Sequence, residues 1–283
     1  MPLVATLICN PVTPALDSTI LDGARALLPS AGAAHWLDPE IAADIPFTSQ
    51  EPAADIAARL RQAIGDLAID VVVQPQAARR KRLLLADMDS TIIGQECIDE
   101  LADFAGLKAH VAAITERAMR GEIAFEPALR ERVALLKGLP ATVIDEVLAS
   151  RITLTPGGPE LVRTMRAHGA YTCLVSGGFT LFTSHIAELV GFQESRANAL
   201  VINNGRLTGM VAEPILGRSA KLATLDELRE SFDLDTIDTL AVGDGANDLA
   251  MINAAGLGVA YHAKPQVAAA AACRIDHGDL TAL

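Results

Sequence analysis

Four short apolar runs after residue 81 restrict the fold of the chain more than any other feature of the sequence. They lie at residues 82–86, 171–176, 239–242 and 258–261, and three of them lead directly into Asp, Ser or Gly. Helical spacing fills most of the chain between them, and this pattern is typical of buried parallel strands. In an open α/β sheet, ligands bind beyond the carboxyl ends of the strands. The residues that end these runs are therefore the first candidates for a functional site.

The clearest internal boundary is a run of four cations, Arg79-Arg80-Lys81-Arg82, between two apolar runs. Such a run is typical of a solvated linker rather than of a binding patch. The preceding chain follows the order strand, helix, strand, strand, helix, strand, which is typical of a ferredoxin-like α+β domain and, in element order alone, is similar to ACT-type regulatory domains. We therefore predict an N-terminal domain over residues 1–78 and a larger domain over 79–283. The predicted elements of the N-terminal domain are strands over 4–9, 34–37, 43–47 and 69–73 and helices over 16–28 and 53–64.

Charge and cysteine content argue against several classes of partner and cofactor. The chain of 283 residues has a formal net charge of −12, so a basic face for a nucleic-acid backbone or an anionic membrane is not expected. Its four cysteines lie far apart without CxxC or Cys/His spacing, which indicates neither a disulfide scaffold nor a zinc site. The N-terminus lacks the basic region of a signal peptide. We expect a cytoplasmic protein, and the sequence leaves open whether it is a monomer or a homodimer.

Two carboxylates, Asp87 and Asp89, follow the first apolar run. If the strand continued, side chains two residues apart would point the same way and place like charges together at the edge of the sheet. A bound Mg²⁺ would compensate such a pair, because it prefers carboxylate and carbonyl oxygens. An isolated Asp-x-Asp is more often a helix cap or a turn, so the motif gains its weight from its position at a strand end.

The third apolar run leads into a Gly/Asp loop, Gly243-Asp244-Gly245-Ala246-Asn247-Asp248, followed by a predicted helix over 249–255. A helix N-cap at Asn247 or Asp248 would explain one polar residue of this loop. It would not explain three acid or amide groups between glycines. Metal binding by Asp244 and Asp248 explains the group better.

Two further segments offer partners for a phosphate group. Ser176-Gly177-Gly178 ends the second apolar run, and a hydroxyl followed by glycines at the start of a helix offers free backbone N–H groups to an anion. Lys221 is the cation that we place opposite the remaining phosphate oxygens. Taken alone, the first segment is equally often a turn, and a single lysine is usually a surface charge.

In this order, Asp-x-Asp-x-Thr, the serine after a strand, the later lysine and Gly-Asp-Gly-x-Asn-Asp resemble the four motifs of the haloacid dehalogenase superfamily. The resemblance covers about residues 83–283 and implies a Rossmann-like α/β core with a parallel sheet and a helical cap. It implies that Asp87 attacks phosphorus and forms an aspartyl-phosphate, and that Asp89 is the proton donor. The implied Mg²⁺ ligands are Asp87, Asp244, the backbone carbonyl of Asp89 and, through water, Asp248. The implied phosphate and substrate contacts in the core are Ser176, Gly177, Lys221 and Asn247.

The 89 residues between Asp87 and Ser176 are more than one strand–helix unit needs, and their apolar spacing predicts a helical cap over about residues 94–150. Glu96 and the segments 119–126 and 129–133 are similar to the phosphoserine phosphatase branch of the superfamily. That resemblance implies O-phospho-L-serine as the substrate. It places Glu96 on the substrate ammonium, Arg132 on the carboxylate, and Met119 and Phe125 in an apolar wall.

Two alternative functions remain open at this point. The enzyme could pass the phosphoryl group to another alcohol, such as homoserine, instead of water. The chain could also serve mainly as an amino-acid sensor, with residues 1–80 binding serine. Without the family resemblance, Glu96 and Arg132 would be interpreted as a helix-terminal acid and a surface charge.

Overall fold

The computed structural model describes residues 1–77, 79–119 and 122–283, apart from the side chain of Met119. The described residues form a four-stranded, a six-stranded and a two-stranded sheet. The strands are β1 (Pro2–Cys9), β2 (His35–Asp38), β3 (Ala42–Thr48), β4 (Ile69–Pro75), β5 (Leu83–Ala86), β6 (Tyr171–Phe179), β7 (Glu194–Asn198), β8 (Leu200–Asn203), β9 (Arg206–Val211), β10 (Thr239–Gly243), β11 (Leu257–Tyr261) and β12 (Cys273–Ile275). The helices are α1 (Ser18–Ala26), α2 (Ala53–Ile64), α3 (Cys97–Phe104), α4 (Lys108–Met119), α5 (Phe125–Ala134), α6 (Thr142–Ser150), α7 (Gly158–Ala167), α8 (Thr180–Val190), α9 (Arg218–Ser231), α10 (Leu249–Ala254) and α11 (Pro265–Ala270).

The N-terminal sheet is antiparallel with the order β2-β3-β1-β4. Leu7 of β1 packs with Ile56 and Leu60 of α2 in the core of this sheet and its helices. Ile8, one residue further along β1, points to the other face and packs into the core around the six-stranded sheet, because successive side chains of a strand alternate between faces. The predicted ferredoxin-like element order is confirmed.

The six-stranded sheet has the order β12-β11-β10-β5-β6-β7, and all of its strand pairs are parallel. The four residues of β5 are completely buried. The four predicted core strands and the α/β core are confirmed, whereas β7 and β12 were not predicted. Helix α11 stops at Ala270, and Cys273 begins β12.

Helices α3 to α6 occupy the insertion between β5 and β6, as their apolar spacing predicts. A hairpin of β8 and β9, which was not predicted, extends this cap. Gly138 N–H, after α5, donates to the Leu207 carbonyl at 2.8 Å, and Ala141 N–H donates to the Gly205 carbonyl at 2.9 Å. The hairpin is thereby fastened to the loop between α5 and α6.

The cation run between the two larger sheets differs from the predicted solvated linker. Arg79 Nη2 donates to Asp44 Oδ1 of β3 at 2.9 Å, and Lys81, only 9% exposed, donates to the Ile237 carbonyl at 2.9 Å. One of these cations thus bonds to an acceptor before the boundary and the other to an acceptor after it. Within the described ranges, no helix combines the length and the apolar composition needed to cross a membrane.

Candidate active site

Three buried carboxylates meet at the carboxyl ends of β5 and β10. These strands are parallel neighbours, and the Asp87 N–H donates to the Val242 carbonyl at 3.0 Å, so the chain after β5 begins beside the end of β10. Oxygen atoms of Asp87, Asp244 and Asp248 lie within 4.8 Å of one another, and all three residues are buried. The structure thus brings together the acids that the two motifs predict.

Lys221 is the only ion-pair partner that the structure gives to these carboxylates in the described chain. Its Nζ lies 2.6 Å from Asp87 Oδ1 and 2.6 Å from Asp248 Oδ1, and its side chain is 3% exposed. Burial alone would lower the pKa of Lys221, but Asp248 and Asp87 raise it, and the net shift is upward. The ammonium therefore stays charged at neutral pH.

One ammonium does not compensate the negative charge of three buried carboxylates, and the pKa values of Asp87 and Asp244 are raised as a result. Burial and then Asp248 raise the pKa of Asp87 well above its usual value, and the same two causes raise the pKa of Asp244 to about 6. Buried negative charge of this density is costly without a cation. Mg²⁺ takes carboxylate oxygens, so the donor set fits a divalent metal ion.

The loop after β10 is shaped by its acids rather than by helix capping. Asp248 precedes α10 but makes no side-chain capping hydrogen bond, and its Oδ2 instead accepts from the Gly245 N–H at 2.9 Å. A Cβ at Gly243 would lie 2.5 Å from Asp248 Cγ, and one at Gly245 would lie 2.3 Å from Asn247 Oδ1. The glycines are needed for this close approach, and the N-cap alternative for Asp248 is wrong.

Asp89 lies on a different path from a continued strand. Met88–Ile92 forms a turn that is closed by a hydrogen bond from the Ile93 N–H to the Met88 carbonyl at 3.0 Å, with Ser90 at a φ of 55°. Strand β5 ends at Ala86, before Asp89. Asp89 Oδ1 accepts from the Cys97 N–H at 3.3 Å, which places the side chain below the cap. Burial, followed by the charge of Glu96, raises the pKa of Asp89 to about 7. A carboxyl group with this pKa can give and take a proton near neutral pH.

Ser176 and Gly177 lie beside this cluster, at the carboxyl end of β6. Ser176 is 2% exposed, and its Oγ accepts from the Gly178 N–H at 2.8 Å. The expectation that these glycines open a helix is wrong, because β6 continues to Phe179 and α8 begins only at Thr180. A register shift between β6 and β7 instead removes these glycines from regular sheet pairing.

The cap places Glu96 and Arg132 above the acids. Glu96 Oε1 accepts from Ser90 Oγ at 2.8 Å. Arg132 donates to the Ala128 carbonyl at 3.2 Å and to Thr115 Oγ1 at 3.3 Å. Burial lowers the pKa of Arg132, while the charges of Asp99, Glu96 and Asp89 act in the opposite direction. A partly buried guanidinium held by neutral oxygens is suited to an incoming carboxylate.

Phe125, at the start of α5, reaches the core. A Cβ at Gly177 would lie 3.1 Å from Phe125 Cζ, and one at Gly217 would lie 3.4 Å from Phe125 Cδ1. Its ring therefore packs over two glycine backbones. The side chain of Met119, predicted beside it, lies outside the described residues, and Asn247 is partly buried in the loop after β10.

The sequence interpretation assigned no role to three polar residues around the site. Ser90 holds Glu96, and Thr91 Oγ1 lies 3.3 Å from Asp244 Oδ1. Both belong to the motif after β5, so their position beside Asp89 was the available signal. The third, Asn198, is 1% exposed at the end of β7 and hydrogen bonds to two loops of the site. It lies in a strand that the sequence pattern did not reveal.

The fold and the acid cluster define a class of enzyme, and comparison with known proteins agrees with it. The model of the haloacid dehalogenase-like hydrolase family matches residues 84–253, and the chain belongs to this family. A HAD family hydrolase from Salmonella enterica superimposes with a TM-score of 0.89 at 28% identity, covering 100% of this chain and 97% of that one.

Within the family, the similar proteins include phosphoserine phosphatases. That of Archaeoglobus fulgidus is 46% identical over 217 residues, which are 76% of this chain and 63% of the relative. That of Haemophilus influenzae is 45% identical over 71% of this chain and 64% of the relative, and that of a Polaromonas species is 47% identical over 71% and 88%. The match thus spans less than two thirds of the first two relatives. A structure titled as a phospho-aspartyl intermediate analogue of phosphoserine phosphatase has a TM-score of 0.65 at 39% identity, covering 70% of this chain and 94% of that one.

Proposed function

We propose that this chain is a Mg²⁺-dependent phosphatase that hydrolyses O-phospho-L-serine to L-serine and inorganic phosphate. The observation that carries the proposal is that two features lie next to each other. Asp87, Asp244 and Asp248 form a buried acid cluster with Lys221. Above it, the cap supplies one anion, Glu96, and one cation, Arg132, which is the pair that an amino-acid ammonium and carboxylate require.

The carboxylates of Asp87, Asp244 and Asp248 and the backbone carbonyl of Asp89 would hold the metal, with Asp248 acting through water, and bound Mg²⁺ would offset the repulsion between carboxylate and phosphate. In the first step, an Asp87 oxygen forms a bond to phosphorus as the bond to the serine oxygen breaks. Asp89 gives its proton to that oxygen. In the second step Asp89 takes a proton from water, whose oxygen attacks phosphorus and releases Asp87.

The other residues orient the substrate and hold its charge. The Ser176 hydroxyl, the Gly177 N–H and Lys221 would donate to phosphoryl oxygens, and we assign Asn247 to the same group of substrate contacts. Glu96 binds the ammonium and Arg132 binds the carboxylate. Phe125 closes the apolar side of the substrate site, and we assign Met119 to the same apolar wall from its sequence motif alone.

We also propose a domain division, a cellular compartment and a class of partner for this protein. The N-terminal domain comprises residues 1–78 and the catalytic domain residues 79–283, with the cap over about 94–150. The protein acts in the cytoplasm on a small molecule rather than on nucleic acid, in keeping with its net charge of −12. The separate antiparallel sheet before β5 supports the domain boundary.

Phosphate release by the purified protein in Mg²⁺ tests the activity. We expect faster release from O-phospho-L-serine than from O-phosphothreonine or sugar phosphates, and no turnover by the Asp87→Asn variant. Equal rates on all three substrates would overturn the assigned substrate. Addition of homoserine as an acceptor separates hydrolysis from phosphotransfer, because a transferase would form O-phosphohomoserine.

Thermal unfolding tests the metal site without relying on activity. At a Mg²⁺ concentration of 100 Kd, binding stabilises a folded protein by about 2.7 kcal/mol. We therefore expect EDTA to lower the Tm of the wild type by about 5–10 °C relative to saturating Mg²⁺. The Asp244→Asn variant should lose most of this difference, whereas substitution of the exposed Asp66 by Asn should keep it. An unchanged Tm in the wild type would contradict the site.

A further inference from the structure

Asn198 connects two loops of the active site, although no role in the proposed reaction has been assigned to it. It is the last residue of β7 and is 1% exposed. Its Nδ2 donates to the Gly177 carbonyl at 2.8 Å and to the Leu216 carbonyl at 3.1 Å, and its Oδ1 accepts from the Leu216 N–H at 2.7 Å. The carboxamide thus uses both its donor and its acceptor on backbone groups.

The first of these bonds replaces sheet pairing that β6 lacks at the active site. Val175 pairs with Arg196 and Phe179 pairs with Asn198, so the three residues between Val175 and Phe179 face a single residue of β7. Such an irregularity leaves backbone groups unpaired and re-aims neighbouring side chains. The side chain of Asn198 satisfies the Gly177 carbonyl inside this irregular stretch. It thereby stabilises the backbone beside Ser176.

The other two bonds hold the beginning of α9. Leu216 directly precedes Gly217, which occupies the N-cap position of α9, and Lys221 lies in the first turns of this helix. Lys221 Nζ must stay within 2.6 Å of both Asp87 and Asp248 to keep its two ion pairs. The position of the start of α9 is therefore coupled to the position of the Lys221 ammonium.

Phe125 packs across the same two loops. Its ring contacts the positions where Gly177 and Gly217 would carry Cβ atoms, at 3.1 Å and 3.4 Å. The ring thus lies over both segments that the Asn198 side chain connects.

From this arrangement, and given the proposed phosphatase function, we propose that Asn198 is a positioning residue. It holds the Ser176–Gly177 segment and the start of α9 at the spacing at which the Gly177 N–H and Lys221 converge on the phosphoryl group. It touches no reacting atom. Its effect is transmitted through the backbone of Gly177 and Leu216, so its loss displaces the donors of the phosphate site and leaves Glu96 and Arg132 in place.

The Asn198→Leu and Asn198→Asp variants test this role. Leucine removes all three hydrogen bonds. Aspartate keeps the bond from the Leu216 N–H, but it replaces the Nδ2 donor by an oxygen that faces the Gly177 and Leu216 carbonyls. We expect kcat for O-phospho-L-serine to fall by at least about tenfold, since small misplacements of catalytic groups cost one to two powers of ten in rate. Affinity for orthovanadate, a mimic of the transferred group, should weaken by a similar factor. Affinity for L-serine should change by less than about twofold, because Glu96 and Arg132 do not depend on Asn198.

Thr172→Val is the matched control. Thr172 is completely buried on β6, and its Oγ1 lies 3.3 Å from Gln193 Oε1, at the end of the sheet away from the site. We expect this variant to lose stability without changing kcat or orthovanadate affinity. Two results would overturn the proposal: kcat of both Asn198 variants within twofold of wild type, or equal loss of orthovanadate and L-serine affinity. If Asn198→Leu does not fold, Asn198→Asp decides. Failure of the proposed function would appear separately, as a wild type inactive on phosphoserine, and the orthovanadate comparison would still test Asn198.

Discussion

At the scale of single residues, the environment of Asp89 decides when it can donate a proton. Burial and the neighbouring Glu96 raise its pKa to about 7, so the carboxyl group is protonated below that pH and loses its proton as the pH rises through it. The first chemical step needs the protonated form. We therefore expect kcat/KM for O-phospho-L-serine to fall above about pH 7, approaching tenfold per pH unit.

A substrate with a better leaving group provides the control for this pH dependence. p-Nitrophenolate leaves without a proton, so kcat/KM for p-nitrophenyl phosphate should show no decrease above pH 7. Measurement of both substrates between pH 5 and 9 on the same preparation checks the assignment. The same alkaline decrease for both substrates would show that another group titrates.

Arg132 and Arg130 lie on the same cap helix but differ in surroundings. Arg132 is partly buried and bonds to the Ala128 carbonyl and Thr115, whereas Arg130 is exposed and pairs with Glu126 at 2.8 Å. The Arg132→Lys variant keeps the charge and loses the two parallel donors that match a carboxylate. We expect KM for O-phospho-L-serine to rise about 10–100-fold with a smaller change in kcat, because the variant loses one charged hydrogen bond to the substrate.

The matched substitution at Arg130 should have little effect, because exposed ion pairs contribute about 0–1 kcal/mol. Steady-state kinetics of both variants separates the two positions. Equal KM values for Arg132→Lys and Arg130→Lys would remove Arg132 from the carboxylate site.

At the scale of elements, the contact between the β8–β9 hairpin and the cap requires a glycine at position 209. Gly209 has a φ of +79°, and a Cβ there would lie 2.9 Å from Lys137 Cβ, on the cap. Gly205 has a similar φ of +71° with nothing within 4 Å. Both alanine variants therefore carry the strain of a left-handed backbone, about 1–2 kcal/mol. Only Gly209→Ala adds a clash, which we expect to cost about 1–3 kcal/mol more.

Urea denaturation of the two variants measures this difference in the free energy of unfolding. The comparison isolates the contact between hairpin and cap, since backbone strain is common to both. Equal destabilisation would mean that the hairpin moves away from Lys137 without cost.

Some elements can be predicted from neighbouring residues in the sequence, whereas others form only through pairing with a distant strand. Strands β5, β6, β10 and β11 are apolar runs, and the cap helices carry apolar residues at helical spacing, so burial alone marks them. The hairpin had a local signal that was not used, Asn204-Gly205, a dipeptide favoured in two-residue turns. By contrast, β7 contains Glu194 and Arg196 and owes its place to pairing with β6. Pairing of this kind cannot be predicted from the residues of the strand alone.

The same distinction applies to the site. Asp87 and Asp244 were predictable because each follows a strand end, where the topology brings ligands together. Lys221 was predictable only from its order among the other motifs. The position of the Asp89 side chain was not predictable, because the chain leaves the strand direction in the turn Met88–Ile92. The role proposed for Asn198 depends on a sheet irregularity that becomes visible only when β6 and β7 are paired.

At the scale of the whole molecule, one carboxylate ties the N-terminal sheet to the end of the chain. Asp70 of β4 is 3% exposed and accepts from the N–H groups of Asp276, His277 and Gly278 at 2.8, 3.1 and 2.7 Å. No side chain of the six-stranded sheet is needed for these bonds. The N-terminal sheet therefore holds the segment after β12 through the backbone N–H groups of that segment.

Loss of the Asp70 carboxylate should uncouple these two parts of the molecule. The Asp70→Ala variant leaves three backbone N–H groups without their charged acceptor, so we expect the free energy of unfolding to fall by about 3 kcal/mol. Hydrogen exchange at the amides of residues 276–278 should quicken more than exchange in β5, because local opening precedes global unfolding. The Asp66→Ala variant changes an exposed acid four residues away and should leave both measurements unchanged. If the three amides kept their protection in Asp70→Ala, the contact between β4 and the segment after β12 would have to rest on the apolar face of Ile8 and Val72 instead.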